Sequence, residues 1–181
     1  NNGQSVSLNS GIAGLVSVAG TIGNAQPLST LNVINSNGAT FSSAVITGTS
    51  VVLTDTVAAQ VIRFAGNLTT PTLTVVAKPF ALELLGTSTA ITNATTFLNT
   101  GALTLGNDLT DSLTFSGGLV ATAPSDIKAA GTINTTNSAM SLGDNNTALA
   151  MTTNLNLNSA GGSITLGGTV NGSTKDLTIN A

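Results

Sequence analysis

Along the whole chain a bulky aliphatic residue, a small polar or β-branched residue and a second bulky apolar residue follow one another. The pattern recurs at Val16-Ser17-Val18, Leu31-Asn32-Val33, Leu73-Thr74-Val75, Leu82-Glu83-Leu84, Leu103-Thr104-Leu105, Leu113-Thr114-Phe115, Leu155-Asn156-Leu157, Ile164-Thr165-Leu166 and Leu177-Thr178-Ile179. Period-two alternation puts both apolar side chains on one face of a short strand. None of these units extends into the i, i+3, i+4, i+7 stripe of an amphipathic helix, so the pattern predicts an all-β chain. Between the triplets lie turn formers that tolerate left-handed backbone angles, such as Asn35-Ser36-Asn37-Gly38, Asn107-Asp108, Asn145-Asn146, Gly161-Gly162 and Asn171-Gly172-Ser173.

A longer self-similarity links Gly101-Ala102-Leu103-Thr104-Leu105-Gly106 with Ser138-Ala139-Met140-Ser141-Leu142-Gly143 and Gly162-Ser163-Ile164-Thr165-Leu166-Gly167. Each is followed by polar turn residues and a further triplet, the second by Leu149-Ala150-Met151, which reads as a degenerate repeat. Short strands joined by tight Gly and Asn corners are what a β-solenoid needs, because no single rung can bury its own apolar side. Rungs of roughly 17 to 24 residues, spaced about 4.8 Å apart, predict roughly eight to ten rungs and a rod about 40 Å long. The five aromatic residues are all Phe; Phe64, Phe80, Phe97 and Phe115 are evenly spaced, which predicts stacking in neighbouring rungs. The competing fold is a set of antiparallel β-sandwiches, kept open by the longer runs at 58–64 and 71–77, although the chain has no Trp and no Tyr.

Composition narrows the partners. The 181 residues are 41% apolar, enough for a core, but only 6% charged, so Thr, Ser, Asn and Gly must make most of the surface. A mean hydropathy of +0.38 with a net charge of −3 argues for compact structure over disorder. Arg63, Lys78, Lys128 and Lys175 are the only basic residues, which leaves no patch able to neutralise several phosphates of a nucleic acid. The absence of Cys excludes disulfides and thiolate metal sites, and the absence of His removes the commonest metal ligand and general base. A cysteine-free, Thr- and Asn-rich chain suits an exported bacterial surface protein. No apolar run approaches the length of a membrane-spanning helix, and Asn1-Asn2-Gly3-Gln4 lacks the basic start of a signal peptide, so a mature piece or internal fragment is expected, without membrane insertion.

The segment Gly168-Thr169-Val170-Asn171-Gly172, followed by Asp176-Leu177-Thr178-Ile179-Asn180-Ala181, resembles the recurring phrase of giant bacterial β-strand-repeat proteins, similar to filamentous haemagglutinin-like adhesins and autotransporter passengers. The resemblance is clearest over 98–181. It implies a right-handed parallel β-helix, export to the cell surface, and adhesion or fibre formation, with this piece drawn from the repeat shaft.

Chemistry is sparse. Asp108 and Asp111, three apart in a turn, form the one carboxylate pair with acid/base or calcium potential, yet the nonapeptide pattern of a calcium β-roll is missing here and at Gly143-Asp144-Asn145-Asn146. Arg63 and Glu83 alternate away from their apolar neighbours and are expected to point outward as solvated single charges. Asn67, Asn93, Asn134, Asn145 and Asn171 begin Asn-x-Ser/Thr acceptor sequences, as chance alone allows in so Asn- and Thr-rich a chain. Thr72-Leu73-Thr74 is not repeated at rung spacing, as an ice-binding array requires. The expectation is a single β-solenoid segment over 1–181 with no catalytic, cofactor or metal residues. Its expected role is a non-catalytic extracellular shaft or filament whose partners are copies of itself or neighbouring repeats, with a cell-surface glycan as the alternative partner.

Overall fold

The computed structural model describes residues 3–181; Asn1 and Asn2 of the opening tetrapeptide lie outside the described residues. All nine apolar triplets lie in β-strands, and every strand ladder among the described residues is parallel. That pairing overturns the antiparallel sandwich and establishes a parallel β-solenoid. Of the longer runs that had kept the sandwich open, only Val61–Phe64 and Thr72–Val75 are strand.

Three faces recur in each rung. On face A, Val16, Ala39, Ile62, Leu82, Leu103, Ile127, Leu149 and Val170 stack in register, which counts eight rungs of 20 to 24 residues. On face B the column begins at the Ile22–Val45 bridge and runs through Leu68, Thr89, Leu113, Ile133, Leu157 and Ile179. Face C carries Val6, Leu31, Val51 and Leu73, and then Thr95, Leu119, Met140 and Ile164. Hydrogen bonds run along the rod axis from rung to rung, as in Leu82 N to Ala102 O (2.9 Å) and Leu103 N to Asp126 O (2.9 Å).

The inward positions form one continuous apolar column, with Leu31, Ile62, Leu82, Leu105, Leu113 and Leu157 fully buried. In the first and last rungs, which have a neighbour on one side only, the equivalent positions are partly exposed: Val6 by 36% and Ile179 by 48%. The inward set is not wholly apolar. Thr47 and Thr70 face each other across adjacent rungs, where the Thr47 hydroxyl donates to Thr70 Oγ1 at 2.7 Å and the Thr70 hydroxyl donates to the Thr72 carbonyl at 2.9 Å.

The even Phe spacing does not produce the expected stacking. All five rings are buried, but rungs longer than the Phe spacing carry successive rings around the core to different faces. Phe41 and Phe64, 23 residues apart, are the pair that stacks across rungs, with centroids 4.8 Å apart. Phe97 and Phe115 instead meet edge to face within one rung at 5.8 Å. Of the three self-similar segments, those centred on Ser141 and Thr165 stack directly on face C, whereas the one centred on Thr104 lies on face A.

Corners are made in two ways. Some are loops; others are bends inside long strands, as in Val45–Leu53, which turns from face B to face C, and Ile127–Thr135, which turns from face A to face B. Gly131 makes the second bend possible: its φ is +70°, and a Cβ there would lie 2.3 Å from the Asp111 carbonyl oxygen.

Candidate functional site

Alternation correctly places Arg63 and Glu83 outward on face A, but they are not single charges. The two strands pair with Arg63 opposite Glu83, so Nε donates to Oε2 at 2.5 Å. The hydrogen bond and the negative charge of Glu83 raise the Arg63 pKa above its ordinary value. Both groups remain partly solvated, so the pair contributes about 1 kcal/mol or less. A second ion pair, Lys78 with Asp55 at 3.5 Å, ties together two successive corners that lead into face A.

Asp108 and Asp111 occupy the corner that leads out of face A in the fifth rung. Asp111 is only 2% exposed, and its Oδ2 accepts the backbone N–H groups of Asn107 (2.8 Å) and Asp108 (3.0 Å). Asp108 Oδ1 accepts the backbone N–H and the hydroxyl of Thr110, which lowers its pKa below the usual carboxylate value, the backbone bond being the larger cause. Asp144 makes the same kind of turn, accepting the Asn146 N–H at 2.8 Å, and its pKa is lowered for that reason first. These carboxylates hold backbone turns together. Among the described residues no cluster of three or more potential metal ligands occurs.

The less visible feature is where the charges lie. Arg63, Glu83 and Lys128 project from face A; Asp55, Lys78, Asp126 and Asp144 lie on the corners before it, and Asp108, Asp111, Lys175 and Asp176 on the corners after it. The strands of faces B and C carry no charge. Face B presents two outward rows through four successive rungs: Ser112, Thr132, Asn156 and Thr178, and beside them Thr114, Asn134, Asn158 and Asn180. Amides bridge the rungs along and between these rows, Asn158 Nδ2 donating to Asn134 Oδ1 at 3.4 Å within the second row and Asn180 Nδ2 donating diagonally to Asn156 Oδ1 at 3.0 Å. Face C adds exposed Ile34, Leu98 and Val120. These rows escape a reading of the linear sequence because their members lie 20 to 24 residues apart, and only the register aligns them.

Face A also holds a groove of about 370 Å³ across its first three rungs, where Leu15, Asn37, Thr40, Gln60 and Arg63 converge. Of the five glycosylation acceptor sequences, Asn67, Asn93, Asn145 and Asn171 are exposed, and Asn134 is half-buried within the amide row of face B. Among the described residues no helix is long and apolar enough to cross a membrane, which leaves β-barrel spans unaddressed.

Comparison of the chain with protein-family models, with curated proteins and with solved structures finds no match in any of the three.

Proposed function

We propose that this chain is a structural, non-catalytic segment of an extracellular or bacterial cell-surface fibre or adhesin, a stiff shaft whose partners are copies of itself or neighbouring repeats. The observation that carries this reading is the confinement of all charge to face A and its corners, which leaves faces B and C uncharged. Polar, uncharged β faces with Asn ladders pack on one another without electrostatic opposition. The rest of the molecule suits a mechanical role: rung-to-rung hydrogen bonds run along the axis, and the corner carboxylates are engaged by backbone N–H groups instead of facing a cleft. The resemblance of 98–181 to β-strand-repeat surface proteins points the same way.

Geometry sets the strength of such contacts. Strands of about four residues at ~3.3 Å each, over eight rungs at ~4.8 Å, give each face roughly 500 Å², so a pair of faces buries about 1,000 Å². Stable pairs usually bury about 1,200 to 2,000 Å². One face is therefore too small for a tight dimer, and association builds up through several faces or many repeats. Electron microscopy of the purified chain at high concentration tests the proposal: rods or filaments are expected, and a field of dispersed compact monomers contradicts it.

The groove on face A supports a second reading, a glycan-binding module, because Asn37, Thr40, Gln60 and Arg63 gather donors and acceptors beside the exposed Leu15. Glycan-array binding that Gln60→Ala abolishes supports it, and a blank array removes it.

A further inference from the structure

We infer that the solenoid is divided by a seam on face C between its fourth and fifth rungs, and that the interior of the rod opens and bends there first. Three independent observations converge on this place.

The first is the ladder itself. On face C, Ser5–Asn9, Leu28–Asn35, Val45–Leu53 and Thr72–Val75 pair in succession, and Thr95–Thr96, Leu119–Ala121, Met140–Leu142 and Ile164–Leu166 pair in a separate four-stranded sheet. No ladder joins Thr72–Val75 to Thr95–Thr96. Faces A and B pass through the same level intact, with Leu82 opposite Leu103 and Thr89 opposite Leu113. On face C the two levels lie side by side and are held at the edges and corners, by Thr92 N to Thr70 O (3.3 Å), Asn93 N to Pro71 O (2.8 Å), Asn93 Nδ2 to Thr72 Oγ1 (2.8 Å), Asn99 Nδ2 to Phe80 O (3.3 Å) and Thr100 N to Lys78 O (2.9 Å).

The second is the corner that feeds face C. On the way into the third rung, Val45–Leu53 turns from face B to face C as one strand, and on the way into the fourth Pro71 alone separates Leu68–Thr70 from Thr72–Val75. On the way into the fifth rung, Thr92, Asn93 and Ala94 intervene between Ser88–Ile91 and Thr95–Thr96, and entry to the sixth again uses three residues, Ser116, Gly117 and Gly118. The added length shifts the incoming strand off the ladder below.

The third is polar satisfaction. Among the described residues two buried side-chain atoms have no hydrogen-bond partner, Thr89 Oγ1 and Asn99 Oδ1. Thr89 belongs to the fourth rung, between Leu68 and Leu113, and Asn99 to the fifth, on the corner that follows Phe97. Unpaired buried polar atoms weaken the level at which they sit. Faces A and B act as the hinge, and face C parts, exposing the amides on both sides of the seam.

Hydrogen–deuterium exchange on the full chain tests the seam directly. Amides in 73–77 and 94–98 are expected to exchange about tenfold or more faster than those of 119–121 on the same face, and faster than those of 82–84 and 103–105 on face A of the same rungs. Uniform protection across these segments overturns the inference. The Thr89→Val variant replaces the unpaired hydroxyl with a methyl group of similar size; it is expected to slow exchange in 73–77 and 94–98 several-fold and to leave the seventh rung unchanged. Unchanged or faster exchange at the seam in that variant contradicts the part assigned to the buried hydroxyl.

Discussion

Face A and faces B and C enclose the same core but meet solvent differently. Face A and its corners hold the charged side chains, some of them in inter-rung ion pairs and carboxylate-capped turns, while B and C present hydroxyls, amides and a few aliphatics. Aliphatic side chains fill most inward positions on all three sides, with buried Thr added on faces B and C, so the difference in charge lies at the solvent side of the strands. It belongs to the surface, and it divides the rod into one charged side and two uncharged sides.

The first way to break this comparison is in the core. Leu105 behind face A and Leu113 behind face B are both fully buried. Leu105→Ala and Leu113→Ala are each expected to lower stability by about 2 to 5 kcal/mol in denaturant unfolding. A large gap between them contradicts the claim of a common core.

Smaller effects belong to the corners beside face A. Asp111→Ala removes the acceptor of two backbone N–H groups, and a loss of about 1 to 3 kcal/mol is expected. Gly131→Ala, which pushes a Cβ into the Asp111 carbonyl at positive φ, falls in the same range of about 1 to 3 kcal/mol. If both variants melt like the parent, the corner is not held as described.

Below these comes the surface ion pair. Arg63→Ala or Glu83→Ala is expected to cost about 1 kcal/mol or less, and less still in high salt. The smallest expected effect is the response to acid. The pKa values of Asp108 and Asp144 are lower in the folded than in the unfolded chain, because backbone N–H groups of Thr110 and Asn146 bind the ionised form. Their contribution is therefore complete above the unfolded value of about 4 and fades as pH falls through the depressed folded values. Asp108→Asn with Asp144→Asn, which keeps the turn acceptors, should flatten the acid limb of the melting-temperature profile, and an unaltered limb counts against this assignment.

Much of the fold is legible in the sequence because two aliphatics flanking an outward residue mark a strand without reference to the rest of the chain. Strands such as Leu68–Thr70 and Thr95–Thr96 are not legible that way, because their inward Thr reads as polar until a neighbouring rung or turn supplies a partner, as Thr47 does for Thr70. The outward direction of Arg63 and Glu83 follows from alternation; their pairing does not, since it depends on a register that joins residues 20 apart. For the same reason Asp108 reads as a turn residue, whereas the burial of Asp111 depends on Thr132 and Gly131 of the next rung. The Phe series misleads because even spacing in sequence is not even spacing around a rung of different length.

The central claim is that the uncharged faces carry self-association. Sedimentation of the full chain across a range of concentrations, from about 0.05 to 1 M salt, tests it together with a variant bearing Thr114→Lys, Asn134→Lys and Asn158→Lys on face B. The account predicts association that grows with concentration, persists at high salt and is sharply reduced in the folded triple variant. Association that salt dissolves, or that the three lysines leave intact, would contradict it.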